Sequence, residues 1–363
     1  MHQHLVLHSR ADAKAVSRGN LDMRCCDDCS FVFNAAFDPG KLEYGLAYDN
    51  SQTFSSFFQG YMDDLVTHMV DARGVKGARV VEVGCGKGAF LRAIVEYPGS
   101  GNVGFGFDPS YDGPLVAADG RLSFRQEFFG PESNEVGADV VVCRHVIEHV
   151  QNPLELLAAV RSGLGGKVGS RVFFETPSVD WILRNGVFWD FFYEHCSLFS
   201  EATLRLAFER AGFSVIEARE IFGGQYLWIE AEFADHVPAG GHAGSATTEL
   251  ARRFSASEPE VLHQWRAKFS TLLGQGNLAL WGAGAKGVTL ANLLDPGGTC
   301  VDCVVDLNPA KQGCFLPGTG HPIVAPRELS ARNVRNAILM NPNYMQENQL
   351  LLKNAGIPLT LCE

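Results

Sequence analysis

The chain has 363 residues, 46% apolar and 20% charged, with a formal net charge of −11. That length predicts two or three domains with sizeable cores, and the acidic balance argues against a nucleic-acid partner and an anionic membrane surface. No run of roughly 18 apolar residues is present, so no membrane-spanning helix is expected. The His- and Arg-rich start lacks the apolar stretch of a signal peptide. Ten scattered cysteines read as reduced thiols of a cytoplasmic protein rather than a disulfide framework.

Taken in chain order, residues 1–45 read as irregular and carry Cys25-Cys26-Asp27-Asp28-Cys29. Residues 51–72 predict a helix, with Phe54, Phe57, Phe58, Tyr61 and Leu65 at three- and four-residue spacing. Strands are predicted at 79–83, 103–107, 122–125, 139–143 and 171–175. A helix over 154–164 starts after Asn152-Pro153. Helix 201–211 stops at Gly212, and strand-like runs follow at 214–218 and 227–233. This order predicts an α/β fold with a seven-stranded doubly wound sheet. Residues 234–248 are small and polar and read as linker. A helix over 257–273 leads into a second α/β pattern, with strands at 278–281, 301–305, 337–340 and 357–361. The expected division is an N-terminal lobe (1–50), the doubly wound domain (51–233), a linker (234–256) and a smaller Rossmann-like domain (257–363).

The most informative stretch is Val80-Val-Glu82-Val-Gly84-Cys-Gly86-Lys-Gly88. An apolar strand runs into three glycines, a helical pattern follows, and the next strand ends in Asp108. Glycines let the backbone pass close under a ligand, and a helix start offers free N–H groups. An acid at the end of the second strand is placed to accept bonds from ribose hydroxyls. The G-x-G-x-G spacing, with Glu82 two residues before it, resembles motif I of the class I S-adenosylmethionine (SAM) methyltransferases. That resemblance implies a SAM site built from Glu82, Gly84, Gly86, Gly88 and Asp108. In it Gly84 and Gly86 lie beside the amino-acid part and Asp108 lies on the ribose.

His145-Val-Ile-Glu148-His149 matches H-x-x-E-H, an inverted zinc-peptidase string. It follows a strand, and Asn152-Pro153 interrupts any long helix, whereas two His ligands need adjacent turns of one helix. The zinc reading is therefore rejected. The same string resembles the post-strand motif of class I methyltransferases, which implies His145 near the methionine end of SAM.

Gly282, Gly284 and Gly287 fit G-x-G-x-x-G, with Asp306 about twenty residues on, the better dinucleotide fingerprint by spacing. The unit supplies only half of a two-lobed dinucleotide fold. Lys286 adds a cation where a phosphate would lie. A substrate-phosphate site at Gly284, Lys286 and Gly287, a structural turn and an NAD site all remain open. In Phe191-Phe192-Tyr193-Glu194-His195, a His beside an acid can act as a general base near neutral pH. The alternative is an aromatic lid whose His caps helix 201–211.

Four features extend the resemblance over most of the chain: Cys26-x-x-Cys29 before Phe31-Val-Phe-Asn34; Tyr48-Asp-Asn-Ser-Gln; Glu194-His195 before Leu198-Phe199-Ser200; and Gly284-Ala-Lys-Gly287 with Asp306-x-Asn308-Pro309-x-Lys311-Gln312-Gly313 and Pro317-Gly318. Together they resemble the three-domain sugar C-methyltransferases, which act on thymidine-diphosphate-linked ketosugars. The resemblance implies a zinc-bearing N-terminal lobe, a SAM domain and a C-terminal domain that helps hold the nucleotide sugar, with Tyr48 on the substrate. It makes His195 the base that forms an enolate, with Glu194 orienting it. Two departures stand out. A Tyr to steady the enolate is expected three positions before His195, where Phe192 stands; Tyr193, one place later, is then the catalytic phenol candidate. Cys26 and Cys29 also need two more ligands for zinc, from Cys25, His2, His4 or His8. The alternatives are an O- or N-methyltransferase, a non-catalytic SAM- or nucleotide-binding subunit, and an NAD oxidoreductase.

Overall fold

A computed structural model describes residues 4–42, 54–130, 135–234 and 246–363. The first segment is more ordered than its sequence predicts. Ser9 caps helix α1 (Arg10–Ala15) by accepting from the Asp12 amide. Strands β1 (Met23–Cys25) and β2 (Val32–Asn34) form a hairpin in which Cys25 pairs with Val32. The segment around α1 lies on the C-terminal domain. Phe315 N–H donates to Leu7 O, Gly318 N–H to Ala13 O, and Arg10 Nε to Gly320 O. The expected N-terminal lobe is thus shared between the C-terminal domain and the middle of the chain, which its hairpin joins through β2.

Helix α2 (Ser56–Thr67) runs on through a π-turn to Ala72 and buries Phe58, Met62 and Leu65. There follow β3 (Arg79–Val83), α3 (Ala89–Glu96), β4 (Val103–Phe107), β5 (Val116–Ala117), β6 (Leu122–Arg125), β7 (Val140–Arg144) and α4 (Pro153–Gly163). Next come β8 (Arg171–Pro177), α5 (Val179–Asn185), β9 (Ser197–Leu198), α6 (Glu201–Arg210), β10 (Phe213–Ile221) and β11 (Tyr226–Phe233). The seven expected strands all form. With the short edge strand β5, which the sequence did not signal, they make one sheet in the order β10-β11-β8-β7-β3-β4-β6-β5. The strands from β6 to β8 are parallel. Val80, Val81 and Val83 of β3 are buried on both faces, as a strand between two helical layers must be. Strand β9 pairs with β2, joining the N-terminal hairpin to the segment that follows His195.

Helix α7 (Ala246–Gly274) begins inside the stretch expected to be linker up to residue 256. Ser257-Glu258-Pro259 reads as a helix start, yet Pro259 lies within the helix. Strands β12 (Asn277–Trp281), β13 (Cys303–Val305), β14 (Ile323–Val324), β15 (Val334–Leu339) and β16 (Thr360–Cys362) form a parallel sheet in the order β14-β13-β12-β15-β16. Helices α8 (Ala285–Leu294) and α9 (Met345–Ala355) connect its strands. Strand β13 starts later than expected because the Asp295 carboxylate takes the amides of Cys300 and Val301. Strand β16 also starts late, since Ile357 N–H closes the end of α9 on Leu352 O.

In each sheet the glycine turn leaves a central strand, β3 or β12, whose neighbours lie on opposite sides. The carboxyl ends of such strands form the crevice where open α/β sheets bind ligands. The two domains are tied directly. Gln225 Nε2 donates to Asn341 Oδ1, Asn343 Nδ2 to Phe222 O, and Ser55 Oγ to Glu347 Oε2.

Candidate active site

The first glycine turn is held by the end of β4. Gly84 and Cys85 amides both donate to Phe107 O. Gly84 has φ +68°, and a Cβ there would stand 2.2 Å from Val146 Cγ2, so the position requires glycine. Asp108 clasps the turn: Gly86 N–H donates to Oδ2 at 2.8 Å, and Ser110 N–H and Oγ donate to Oδ1 at 2.7 and 2.6 Å. Helix α3 starts after Gly88 with no side-chain cap, which leaves N–H groups of its first turn for a ligand. Glu82 is buried and accepts from Leu91 N–H at 3.1 Å. Burial pushes its carboxyl up to about 8. Glu82, Gly84, Gly86, Asp108 and His145 line a cavity of about 680 Å³, within the range of small-molecule sites.

The ends of β7 and β8 carry a buried charge cluster. Arg144 Nε donates to Glu175 Oε2 at 2.6 Å, and Tyr61 Oη donates to Glu175 Oε1 at 2.8 Å. His145 Nε2 lies 2.9 Å from Glu175 Oε1, and its Nδ1 lies 3.4 Å from Glu148 Oε1. Burial works to raise the Glu175 pKa, but Arg144 and His145 outweigh it and hold the carboxyl at about 2. Burial likewise opposes the His145 cation, yet Glu175 and Glu148 raise its pKa to about 9. His145 has φ +54°, a left-handed conformation fixed by its N–H bond to Glu175 O. Ile147–His149 is a single 3₁₀ turn, so the two histidines of the H-x-x-E-H string share no helical face. His145 is committed to carboxylates, whereas ligand atoms of Glu148, His149 and His195 all lie within 4.8 Å of one another.

A second cavity, of about 250 Å³, opens between the two α/β domains. His145 and His149 line both cavities, so the two meet there. His195 lines the second, its ring 4.7 Å from that of His149 and 4.8 Å from that of Phe192. Its position follows from β9: Ser197 Oγ donates to Val150 O at 2.7 Å, anchoring the segment beside the β7 turn. His195 does not cap helix 201–211. Ser200 does, in a capping box with Thr203. Burial, then His149 and His145, depress the His195 pKa well below the usual imidazole range. Nδ1 is buried and has no hydrogen-bond partner among the described residues. His195 is therefore a neutral imidazole with unspent hydrogen-bonding capacity, lining the interdomain cavity.

Residues 54–218 match a family of methyltransferase domains, and residues 234–354 match the C-methyltransferase C-terminal domain family. The C-methyltransferase NovU of Streptomyces niveus is 28% identical over 97% of this chain and 88% of its own length. The chain belongs to the SAM-dependent C-methyltransferases. Among solved structures, an O-methyltransferase family protein from Burkholderia thailandensis has a TM-score of 0.39 and 17% identity, covering 49% of this chain and 56% of its own. The magnesium protoporphyrin IX methyltransferase of Synechocystis PCC 6803, solved with S-adenosylhomocysteine, has a TM-score of 0.38 and 17% identity, covering 49% and 84%. At such TM-scores neither likeness bears on the site. The first cavity fits the family's cofactor, SAM. A Cβ at Gly86 would meet nothing within 4 Å, so the turn borders open space beside the Asp108 carboxylate and the uncapped start of α3.

The C-methyltransferase domains bring together some of the other expected site residues and separate others. Gly284, Lys286 and Gly287 line the second cavity. Gly287 is there for close packing, since a Cβ would stand 2.0 Å from Gly282 O. Glu194 is buried and lines neither cavity. Tyr193 turns away to the N-terminal segment, where its hydroxyl accepts from Asp38 N–H at 2.9 Å and donates to Asp38 O at 3.3 Å. Tyr48 lies outside the described residues. Cys26 and Cys29 lie in the β1–β2 hairpin turn, where hydrogen bonds from Cys29 and Asp28 draw the Cys26 thiol down. No group of three metal-ligating side chains among the described residues includes them, so the described residues alone do not make a four-coordinate zinc site there. Of the expected histidines, His2 lies outside the described residues, His4 lines the second cavity, and His8 Nδ1 faces Cys314 Sγ at 3.4 Å. Sequence reasoning passed over Glu175 and Tyr226, and met Lys311 only as part of the C-terminal motif. An acid closing an apolar strand was the available signal for Glu175, whereas nothing in its local pattern marks Tyr226.

Proposed function

We propose that this C-methyltransferase acts on a nucleotide-linked ketosugar, with His195 as the base that forms an enolate. The observation that carries this reading is the meeting of the cofactor cavity and the interdomain cavity at His145 and His149, with His195 beside them. Gly84, Gly86 and the start of α3 would hold the amino-acid part of SAM, and Asp108 the ribose, with the reacting end toward His145. SAM supplies an electrophilic methyl group when bound. His195, neutral at pH 7, accepts the proton from the carbon next to the ketone. The C–H electron pair moves into an enolate, and that carbon forms the new bond as the methyl–sulfur bond breaks.

Phe192 provides no phenol for the enolate oxygen. Tyr226 is the residue placed to do so. It lines the interdomain cavity, its ring lies 4.6 Å from that of His145, and its hydroxyl makes no hydrogen bond to a described residue. Holding the acceptor between the two domains keeps it oriented toward His195.

The test is solvent exchange. In D₂O without SAM, a thymidine-diphosphate ketosugar should exchange its proton next to the carbonyl in the presence of the enzyme. His195→Ala should abolish exchange and lower turnover by about 100-fold or more, with S-adenosylhomocysteine affinity unchanged by calorimetry. Exchange and turnover that survive in His195→Ala would remove His195 from the mechanism. A wild-type enzyme that neither exchanges nor methylates the ketosugar would remove the acceptor class.

A further inference from the structure

If the acceptor carries a diphosphate, as the preceding reading requires, the interdomain cavity must supply a cation for it. Lys286 is already committed. Its ammonium donates to Asp190 Oδ2 at 2.7 Å and to Gln225 Oε1 at 3.1 Å, which ties the C-terminal domain to the segment before His195. Asp190 is buried, so the pair is neutral as a unit and offers little net charge to an anion.

Lys311 is in a different position. It is 7% exposed and lines the same cavity. Its ammonium makes one hydrogen bond to a described residue, a long one of 3.4 Å to Ala283 O, and no described carboxylate lies within 4.0 Å of its Nζ. The nearby Asp306 carboxylate accepts instead from the Ala283 and Asn308 amides, each at 2.8 Å. A buried ammonium without a counter-ion is unfavourable by several kcal/mol. Beside it begins α8, ten residues long, with no side-chain cap at Gly284 and with Gly284, Ala285 and Gly287 lining the cavity. A fixed positive charge and an uncapped helix start thus converge on one wall.

We infer that Lys311 and the amino end of α8 form the subsite for the phosphate or pyrophosphate of the acceptor, while Lys286 is a domain tie. The ligand's identity rests on the nucleotide-sugar reading; the anion site rests on Lys311 and α8. This also gives the Asp306-x-Asn308-Pro309-x-Lys311 run a purpose. Asp306 and Asn308 shape the turn after β13 so that Lys311 reaches back over the second glycine turn.

The full chain is titrated by calorimetry with thymidine diphosphate, inorganic pyrophosphate and NAD⁺, as wild type, Lys311→Gln and Lys311→Arg. Thymidine diphosphate and pyrophosphate should bind the wild type, and Lys311→Gln should weaken both by tenfold or more. Lys311→Arg should restore most of the affinity. S-adenosylhomocysteine binding should be the same in all three, which also shows that the variants fold. A further readout separates ligand binding from a structural role. Lys311→Met should raise the unfolding midpoint of the ligand-free chain, because it removes an unpaired buried charge. Unchanged thymidine diphosphate affinity in Lys311→Gln overturns the inference and leaves the nucleotide-sugar reading standing. Pyrophosphate binding that depends on Lys311, without thymidine diphosphate binding, upholds the anion site and overturns that reading. NAD⁺ binding in place of thymidine diphosphate also overturns it, and wild-type protein that binds none of the three overturns both.

Discussion

Tyr193 and His195 are two residues apart, yet they serve different parts of the molecule. The His195 ring faces the cavity, whereas the Tyr193 ring packs against Phe37 and sits so close over Gly19 that a Cβ there would stand 2.0 Å from it. The phenol that looked like a nearby substitute for the one missing at Phe192 is therefore part of the N-terminal packing. Tyr193→Phe should leave turnover within about twofold and destabilise the fold by about 1 kcal/mol, the usual loss for one hydrogen-bonding group. Steady-state kinetics and urea unfolding read the two effects. A hundredfold fall in turnover would return Tyr193 to the catalytic machinery. Glu194 raises the same issue of direction. Adjacency in sequence suggested that it orients His195, whereas Glu148 and His149, from the β7 turn, are the groups that converge on that imidazole.

At the scale of elements, the carboxyl ends of β7 and β8 bring Arg144, His145 and Glu175 into one buried cluster, and its pH dependence has a definite sign. The His145 pKa is raised to about 9 in the fold. Its contribution is fully present below the unfolded value of about 6.5 and is lost as pH rises through 9. The Glu175 pKa is depressed to about 2. Its contribution is fully present above the unfolded value of about 4.5 and is lost as pH falls toward 2. The thermal midpoint should therefore be highest between about pH 4.5 and 6.5 with respect to this cluster. The alkaline decline from pH 6.5 to 9 is on the order of 3 kcal/mol from His145. His145→Gln should flatten that alkaline arm in differential scanning calorimetry, and an unchanged arm would assign the decline to other groups. The glycine turns show a similar logic of placement. Asp108 and Asp306 each close an inner strand and each accept the amide of a glycine-turn residue and the amide two places on in their own loop. The local pattern of strand, glycines and acid was legible in both cases. Which cation stands over the second turn was not, because Lys311 returns from a loop beyond β13 and Lys286 is drawn away by Asp190.

Across the whole molecule, the interdomain cavity exists only while the two α/β domains are held together, and Glu347 is one of the clasps. From α9 its carboxylate accepts from Ser55 Oγ, Ser56 N–H and Ser56 Oγ, each at 2.6 Å, and so caps the amino end of α2 from the other domain. Burial works to raise its pKa, but those bonds prevail and lower it. Glu347→Gln should raise KM for the acceptor about fivefold to tenfold, consistent with the loss of about 1 kcal/mol of charge-assisted bonding, and leave S-adenosylhomocysteine affinity unchanged. Equal KM values in the two enzymes would mean that the clasp does not shape the cavity. The sequence by itself determined the two α/β units, the strands of the large sheet and the first glycine turn with Asp108. Each of these is written in local periodicity, turn chemistry or spacing, which act over a few residues. Tertiary structure decided that Tyr193 faces away and that residues 4–18 run over the C-terminal domain. It also decided that His149 and Glu148 join His195, and that among the described residues no carboxylate stands within 4.0 Å of the Lys311 ammonium. Those outcomes depend on which distant segments share a cavity, and burial and charge pairing there are set by the neighbours the fold supplies.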